Sequence, residues 1–133
     1  MESIPSTPEG DIRFHKRGEP YYEFHPSFSV TLIIGGRTYK SCEDYLVTQM
    51  NVRTVAKTKY SWRDASIGAM EMALYEKFTQ HQKLLQMLLA TATCNIIYHH
   101  RSDDLWGDGG YGEGQNQLGM LLMELRESFV QRF

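Results

Sequence analysis

Between Asp103 and Arg126 the chain reads DDLWGDGGYGEGQNQLGMLLMELR, a tight acidic glycine loop with one Trp that runs straight into an amphipathic helix. Five glycines fall between Gly107 and Gly114. They permit φ values that other residues avoid and let backbone N–H groups approach a ligand closely. Asp103, Asp108 and Glu113 add carboxylates, and Trp106 offers a flat apolar face suited to a base or a sugar. Asn116 is placed to cap the following helix, whose Leu118, Leu121, Leu122, Leu125 and Phe129 form a stripe at helical spacing. Gly107, Gly109 and Gly112 also spell G-x-G-x-x-G. The dinucleotide fingerprint, however, needs a preceding strand, a crossover helix and an acidic residue about twenty positions further on, whereas one helix remains here. Without a ligand, such a loop is a glycine-rich surface turn.

The 133 residues suffice for one domain with a real core, expected over residues 12–133, after a tail at residues 1–11 that is rich in Ser, Pro, Glu and Gly. A formal net charge of −2 with mixed signs supplies no basic stripe, so bulk nucleic-acid binding is not expected. Cys42 and Cys94 lie outside any C-x-x-C pattern and read as buried thiols in a reducing compartment. The opening MESIPSTPEG lacks the basic start and apolar stretch of a signal peptide, and no apolar run approaches a membrane span. The expectation is a cytoplasmic or nuclear protein without membrane contact.

FSVTLII from Phe28 to Ile34, the Gly35-Gly36 turn and Arg37 to Tyr39 read as a hairpin. Ser41 precedes Asp44 by three residues, as in a capping box, and a short helix follows from Tyr45 to Met50. Asn51 to Tyr60 is polar and basic and reads as a connection. Beyond Trp62, Ile67, Met70, Leu74 and Phe78, then Leu84, Leu85, Leu88 and Leu89, predict two consecutive helices or one bent helix. Periodicity does not decide between a short strand and a helix end at Ile96 to Tyr98. The fold class is mainly α, a multihelical domain with a small β-hairpin.

Three blocks together resemble the NADAR, or YbiA-like, family. GGRTYKSCEDY (Gly35 to Tyr45) resembles its G-(K/R)-x-(Y/W)-x-S-x-E-H-Y motif. AMEMALYEKFTQHQKLLQMLLATA (Ala69 to Ala92) resembles M-x-x-A-L-x-x-K-F-x-Q-(N/H)-x-x-L-x-x-x-L-L-x-T. Asp103 to Glu127 is similar to D-x-x-W-G-x-G-x-x-x-x-G-x-N-x-L-G-x-x-L-M-x-x-R. The resemblance implies an N-glycosidase, a hydrolase of N-glycosyl bonds, acting on a phosphoribosyl-pyrimidine intermediate of riboflavin synthesis or on ADP-ribose attached to guanine. No metal and no other cofactor is implied.

Against E-H-Y-F-Q-A-x-K the chain has Glu43-Asp44-Tyr45-Leu46-Val47-Thr48-Gln49-Met50, so Asp44, Val47 and Met50 replace the family's His, Gln and Lys. The family Lys is thought to form an imine with the opened ribose, which a thioether cannot do. Lys57 and Lys59 lie outside the motif. Tyr98 stands where a Glu is common, and the stretch between Met50 and Trp62 is shortened.

Breaking a ribosyl C–N bond builds positive charge at C1′ and the ring oxygen, which a nearby carboxylate stabilises. Glu43 and Asp103 are the catalytic candidates on that ground; each has a local alternative, a helix N-terminal carboxylate and a loop cap. Trp106, Gly107, Asp108, Gly109, Asn116, Trp62 and Arg126 are the substrate-binding candidates. Trp106 and Trp62 have packing alternatives, Trp62 being expected in the core. Arg126 suits a phosphate or, better, a buried ion pair with a loop carboxylate. The phosphates of a substrate would fall to loop N–H groups and to arginines such as Arg37 or Arg126. Adjacent His99 and His100 point apart in an extended segment and are given no metal. His81 and the methionines Met70, Met87, Met120 and Met123 read as packing. The alternative function is a degenerate relative that binds ADP-ribose-like nucleotides or acts as an interaction module. The shortened middle also suggests a homo-oligomer that covers apolar surface.

Overall fold

The computed structural model describes residues 10–56 and 62–131, without the side chains of 52–56. In chain order the elements are β1 (Ile12–Phe14), a 3-10 turn (Tyr22–Phe24), β2 (Leu32–Ile34), β3 (Arg37–Tyr39), α1 (Cys42–Ala56), α2 (Trp62–Gln80), α3 (Gln82–Ala90), β4 (Ile96–Tyr98) and α4 (Gln117–Val130). Helices dominate, in line with the mainly α expectation. Residues 1–9 of the expected tail and residues 57–60 of the expected connection lie outside the described residues. Two compact units emerge, one from Phe24 to His81 and one joining the chain up to Glu23 with Gln82 onward.

In the Phe24–His81 unit, β2 and β3 pair antiparallel with Leu32 opposite Tyr39 and Ile34 opposite Arg37. Gly35 and Gly36 both take left-handed φ values, 60° and 81°, which gives the two-residue turn whose twist matches the strands. A two-stranded sheet leaves its outer backbone unpaired, and Gln80, the last residue of α2, meets that need. Its Oε1 accepts from Ile33 N–H at 2.9 Å and its Nε2 donates to Ile33 C=O at 2.8 Å. Next to it, a ring nitrogen of His81 lies 2.6 Å from Thr31 C=O, so this histidine does more than pack.

α1 opens on a displaced capping box: Ser41 Oγ accepts from Asp44 N–H at 3.1 Å, while the Asp44 carboxylate reaches back to Lys40 N–H at 3.0 Å rather than to Ser41. The helix does not stop at Met50 as expected but runs to Ala56. NVRTVA contains neither Gly nor Pro, so nothing in it stops a helix, and its polar composition alone does not separate helix from connection. α1 packs on α2, where Ala65, Ala69, Met70, Ala73, Leu74 and Phe78 are buried. Lys77 lies on the same stripe and is wholly buried; its Nζ donates to His25 C=O at 3.1 Å and stands 5.5 Å from the ring centres of both Phe28 and Phe78. Trp62 corrects its expected core placement: at the first position of α2 it is 61% exposed.

In the other unit β1 and β4 pair in parallel, with Ile12 beside Ile96 and Phe14 beside Tyr98. Ile96–Tyr98 is therefore a strand, and β1, too short to show a period, is the partner that makes it one. α4 packs on β4 and on α3, burying Leu118, Leu121, Leu122 and Phe129 as the stripe predicts, with Leu125 half-buried. Met70 is buried, but Met120 lies 46% exposed on the outer face of α4 and is not core. Where α4 meets β4, a Cβ at Gly119 would run into Ile96 C=O and the Asn116 side-chain amide, so only glycine permits this approach. Among the described residues no helix is long and apolar enough to cross a membrane.

Candidate functional site

The loop between β4 and α4 is held by its own polar groups. Asp103 Oδ1 accepts from Leu105 N–H at 3.1 Å and Trp106 N–H at 2.8 Å, which turns the chain at the loop's entry. Gly107 follows in a position where a Cβ would lie 2.7 Å from Tyr98 C=O and 2.8 Å from Asp103 C=O. The next residue, Asp108, is only 5% exposed. Its Oδ1 accepts from Gly110 N–H at 2.8 Å, and its Oδ2 lies 2.9 Å from His99 Nδ1. Burial alone would raise the Asp108 pKa, but the bonds from His99 and Gly110 N–H together outweigh it and hold the carboxyl below its ordinary value.

The loop's N–H groups are largely occupied. Asp108, Gly109, Gly114 and Gln115 donate to the carbonyls of Tyr98, Asp103, Asp108 and Asp104 at 2.7–3.0 Å. Of the glycine N–H groups expected near a phosphate, those of Gly109, Gly110 and Gly114 are taken up in building the loop. What opens to solvent is a cleft of about 540 Å³ whose polar lining includes Arg101, Ser102, Asp104, Asp108, Tyr111 and Glu113. Three carboxylates against one guanidinium make a wall of hydrogen-bond acceptors, suited to amino groups and hydroxyls. Asp108 and Gly109 thus reach a cleft as expected, while Asp103, Trp106, Gly107 and Asn116 form its frame; Trp106 is half-buried and its C=O accepts from Leu118 N–H at 3.1 Å.

Asn116 occupies the position before α4, yet its side chain does not cap the helix. The backbone is left-handed at φ 51°, and the amide turns to β4, with Oδ1 accepting from Tyr98 N–H and Nδ2 donating to Ile96 C=O, both at 2.9 Å. Arg126 is corrected as well. Buried in α4, it donates from Nη1 to Thr91 Oγ1 at 3.0 Å and Cys94 C=O at 2.7 Å, tying down the turn between α3 and β4 rather than pairing with a loop carboxylate.

Glu43 belongs to the Phe24–His81 unit, in the first turn of α1. Its side chain reaches solvent, yet surrounding protein removes enough water to lift its pKa above the usual carboxylate value. Nearby, Cys42 is buried, which raises its thiol pKa, with Lys77 pulling the other way. At the position of the family lysine, Met50 is 4% exposed.

Three groups escaped the sequence reading: His99 as the partner of Asp108, Arg101 at the cleft, and buried Lys77. Only Lys77 left a signal, a basic residue on an apolar stripe one turn after Leu74. His15, at the end of β1, is a fourth; its ring centre lies 4.5 Å from that of His100, and burial, then His100 and Lys16, lower its pKa. Among the described residues, no three His, Cys, Asp or Glu side chains gather as a metal site.

A short-stranded, multihelical fold with a glycine loop locked between β4 and α4 is what the NADAR domain family model matches over residues 46–130, and the chain belongs to this family. N-glycosidase YbiA of Escherichia coli is 32% identical over 141 aligned positions, covering 90% of this chain and 88% of that protein. The NMR structure of E. coli YbiA matches with a TM-score of 0.77 at 28% identity, over 97% of this chain and 89% of that one. A riboflavin biosynthesis protein of Vibrio vulnificus is 41% identical over 69 residues, which is 52% of this chain and 19% of that protein.

Proposed function

We propose that the chain is an N-glycosidase that hydrolyses the ribosyl C–N bond of an ADP-ribosylated guanine or of a phosphoribosyl-pyrimidine intermediate of riboflavin synthesis. Support comes first from the cleft built by the third motif block. Its exposed Asp104 and Glu113 carboxylates accept hydrogen bonds, and both substrates present exocyclic amino groups and ribose hydroxyls that donate them. Similarity to N-glycosidase YbiA over most of both chains agrees with that chemistry.

C–N cleavage leaves positive charge on C1′ and the ring oxygen and a nitrogen that needs a proton. Glu43, matched to the family's motif and raised in pKa, is suited to give that proton and then to stand as a carboxylate against the charge. Asp103 shapes the loop through Oδ1 and adds negative potential to it. Trp106 and the loop glycines hold the cleft wall, and Arg101 is its cation for a phosphate. Asn116 and Arg126 act through the β4 edge and the α3–β4 turn, and Trp62 presents an exposed ring at the start of α2. Incubating native protein and Glu43→Gln with ADP-ribosylated guanosine and with the phosphoribosylamino-pyrimidine tests the proposal. Release of free base by the native chain, reduced about 100-fold or more in the variant, is expected.

Buried Met50 favours a second reading, a relative that binds such nucleotides without cleaving them. Saturable ADP-ribose binding with no base released, together with hydrolysis appearing in Met50→Lys, would select it.

A further inference from the structure

With Met50 in place of the family lysine, a covalent imine at that position is closed to this chain, which leaves direct attack of water on C1′ as a route to hydrolysis. Water attacks such a carbon well only if a base removes its proton. Tyr98, stacked on Phe14 and buried, stands where the family motif has a carboxylate and offers none.

The next residue has the needed properties. His99 lies at the C-terminal end of β4, where its backbone N–H still bonds Phe14 C=O at 3.0 Å, so its position is fixed by the parallel ladder. Nδ1 is engaged by the buried Asp108 carboxylate at 2.9 Å, and that carboxylate is itself anchored through its other oxygen by Gly110 N–H. In the neutral ring, a buried aspartate clamped in this way favours the tautomer with the proton on Nδ1, which leaves Nε2 as the accepting nitrogen. The His99 side chain is 48% exposed, against 7% for Asp108, and it lines a second cleft, of about 340 Å³. Asp108 lines the first. One hydrogen bond therefore joins the walls of the two clefts.

Resting on the N-glycosidase reading above, we propose that His99 is the general base of ribosyl hydrolysis and Asp108 the residue that positions it. Nε2 takes a proton from water as the water oxygen bonds to C1′; the C1′–N bond breaks with its electron pair passing to the departing base, which takes its proton from the general acid of the reading above, and afterwards Nε2 returns its proton to solvent while that acid regains one. No oxidant or further reactant is needed. Among the described residues, the charged and titratable groups that share a cleft or a bond with His99 are Asp108 on the loop and Asp11, Arg13, His15, Glu19 and Tyr21 along β1 and the stretch after it, with His100 against His15.

The experiment is a pH profile of kcat/KM for base release by the native chain, His99→Gln and Asp108→Asn, combined with assignment of the His99 tautomer in the native protein by nitrogen-15 NMR. A native rate that falls on acidification, a loss of about 100-fold or more and disappearance of that acidic limb in His99→Gln, a lower kcat at similar KM in Asp108→Asn, and a proton on Nδ1 at neutral pH are expected. If the native chain turns over and His99→Gln matches it in rate and profile, or if the neutral ring carries its proton on Nε2, the proposal is wrong while the N-glycosidase reading stands. Should the native chain release no base from either substrate, both fall.

Discussion

Asn116 shows how little a motif residue's type says about its task. Before a helix, asparagine suggests a cap; here its amide fits between Ile96 C=O and Tyr98 N–H and completes the hydrogen bonding of β4. Replacing it by alanine removes both bonds, leaves two part-buried backbone groups unsatisfied and forces a Cβ residue other than Asn into a left-handed backbone. Asn116→Ala should lower unfolding free energy by about 2 kcal/mol or more in urea titration. Glu43 makes a prediction of the opposite sense. Because its pKa is raised in the folded chain, the folded state holds the proton more tightly than the unfolded one, and stability declines as pH rises from the ordinary carboxylate value through the raised one. Glu43→Gln should flatten that part of the stability curve without destabilising the chain at neutral pH, as thermal melts across pH would show.

At the level of elements, both sheets have two strands among the described residues, and an amide side chain serves the backbone that each leaves unpaired: Gln80 for β2 and Asn116 for β4. Both amides fall on positions the family motifs specify, which gives those positions a physical reason independent of any ligand. Gln80→Ala should destabilise by about 1–2 kcal/mol and speed hydrogen exchange at the Ile33 amide ahead of the helices. The β1–β4 pair carries a pH dependence through His15. Its pKa is lowered by burial first and then by His100 and Lys16, so the folded state disfavours the charged ring; stability is full above the ordinary histidine value and is lost as pH falls below it. Amide exchange at Ile12 and His99, which close the ladder onto Asn95 and Phe14, should accelerate on acidification in the native chain and much less in His15→Phe. The sequence revealed long periodic elements well, α2 and α4 above all, because a three- and four-residue apolar repeat is a direct image of a buried face. It missed β1 and the second half of α1, since a three-residue strand has no measurable period and a polar helix face resembles a loop.

For the whole molecule, the glycine loop was legible as a carboxylate-rich turn beside a cleft, but the partners of its polar groups were not. Composition suggested N–H groups for a phosphate, whereas folding engages the N–H groups of Gly109, Gly110 and Gly114 within the loop, leaves Asp104 and Glu113 exposed and buries Asp108. The His99–Asp108 pair joins residues nine apart through a turn that no spacing rule describes. Membership of the NADAR family, borne by three motif blocks, survives these local differences because the motif glycines and amides encode the frame of the fold more than the reacting groups. The central claim is that this frame cleaves an N-ribosyl bond by direct attack of water, without a lysine imine. Mass spectrometry of the native chain after turnover with the phosphoribosylamino-pyrimidine or ADP-ribosylated guanosine in the presence of cyanoborohydride tests it in one sample. Free base together with a protein of unchanged mass is the predicted result; a reduced sugar adduct on the protein, or no free base from either substrate, would contradict it.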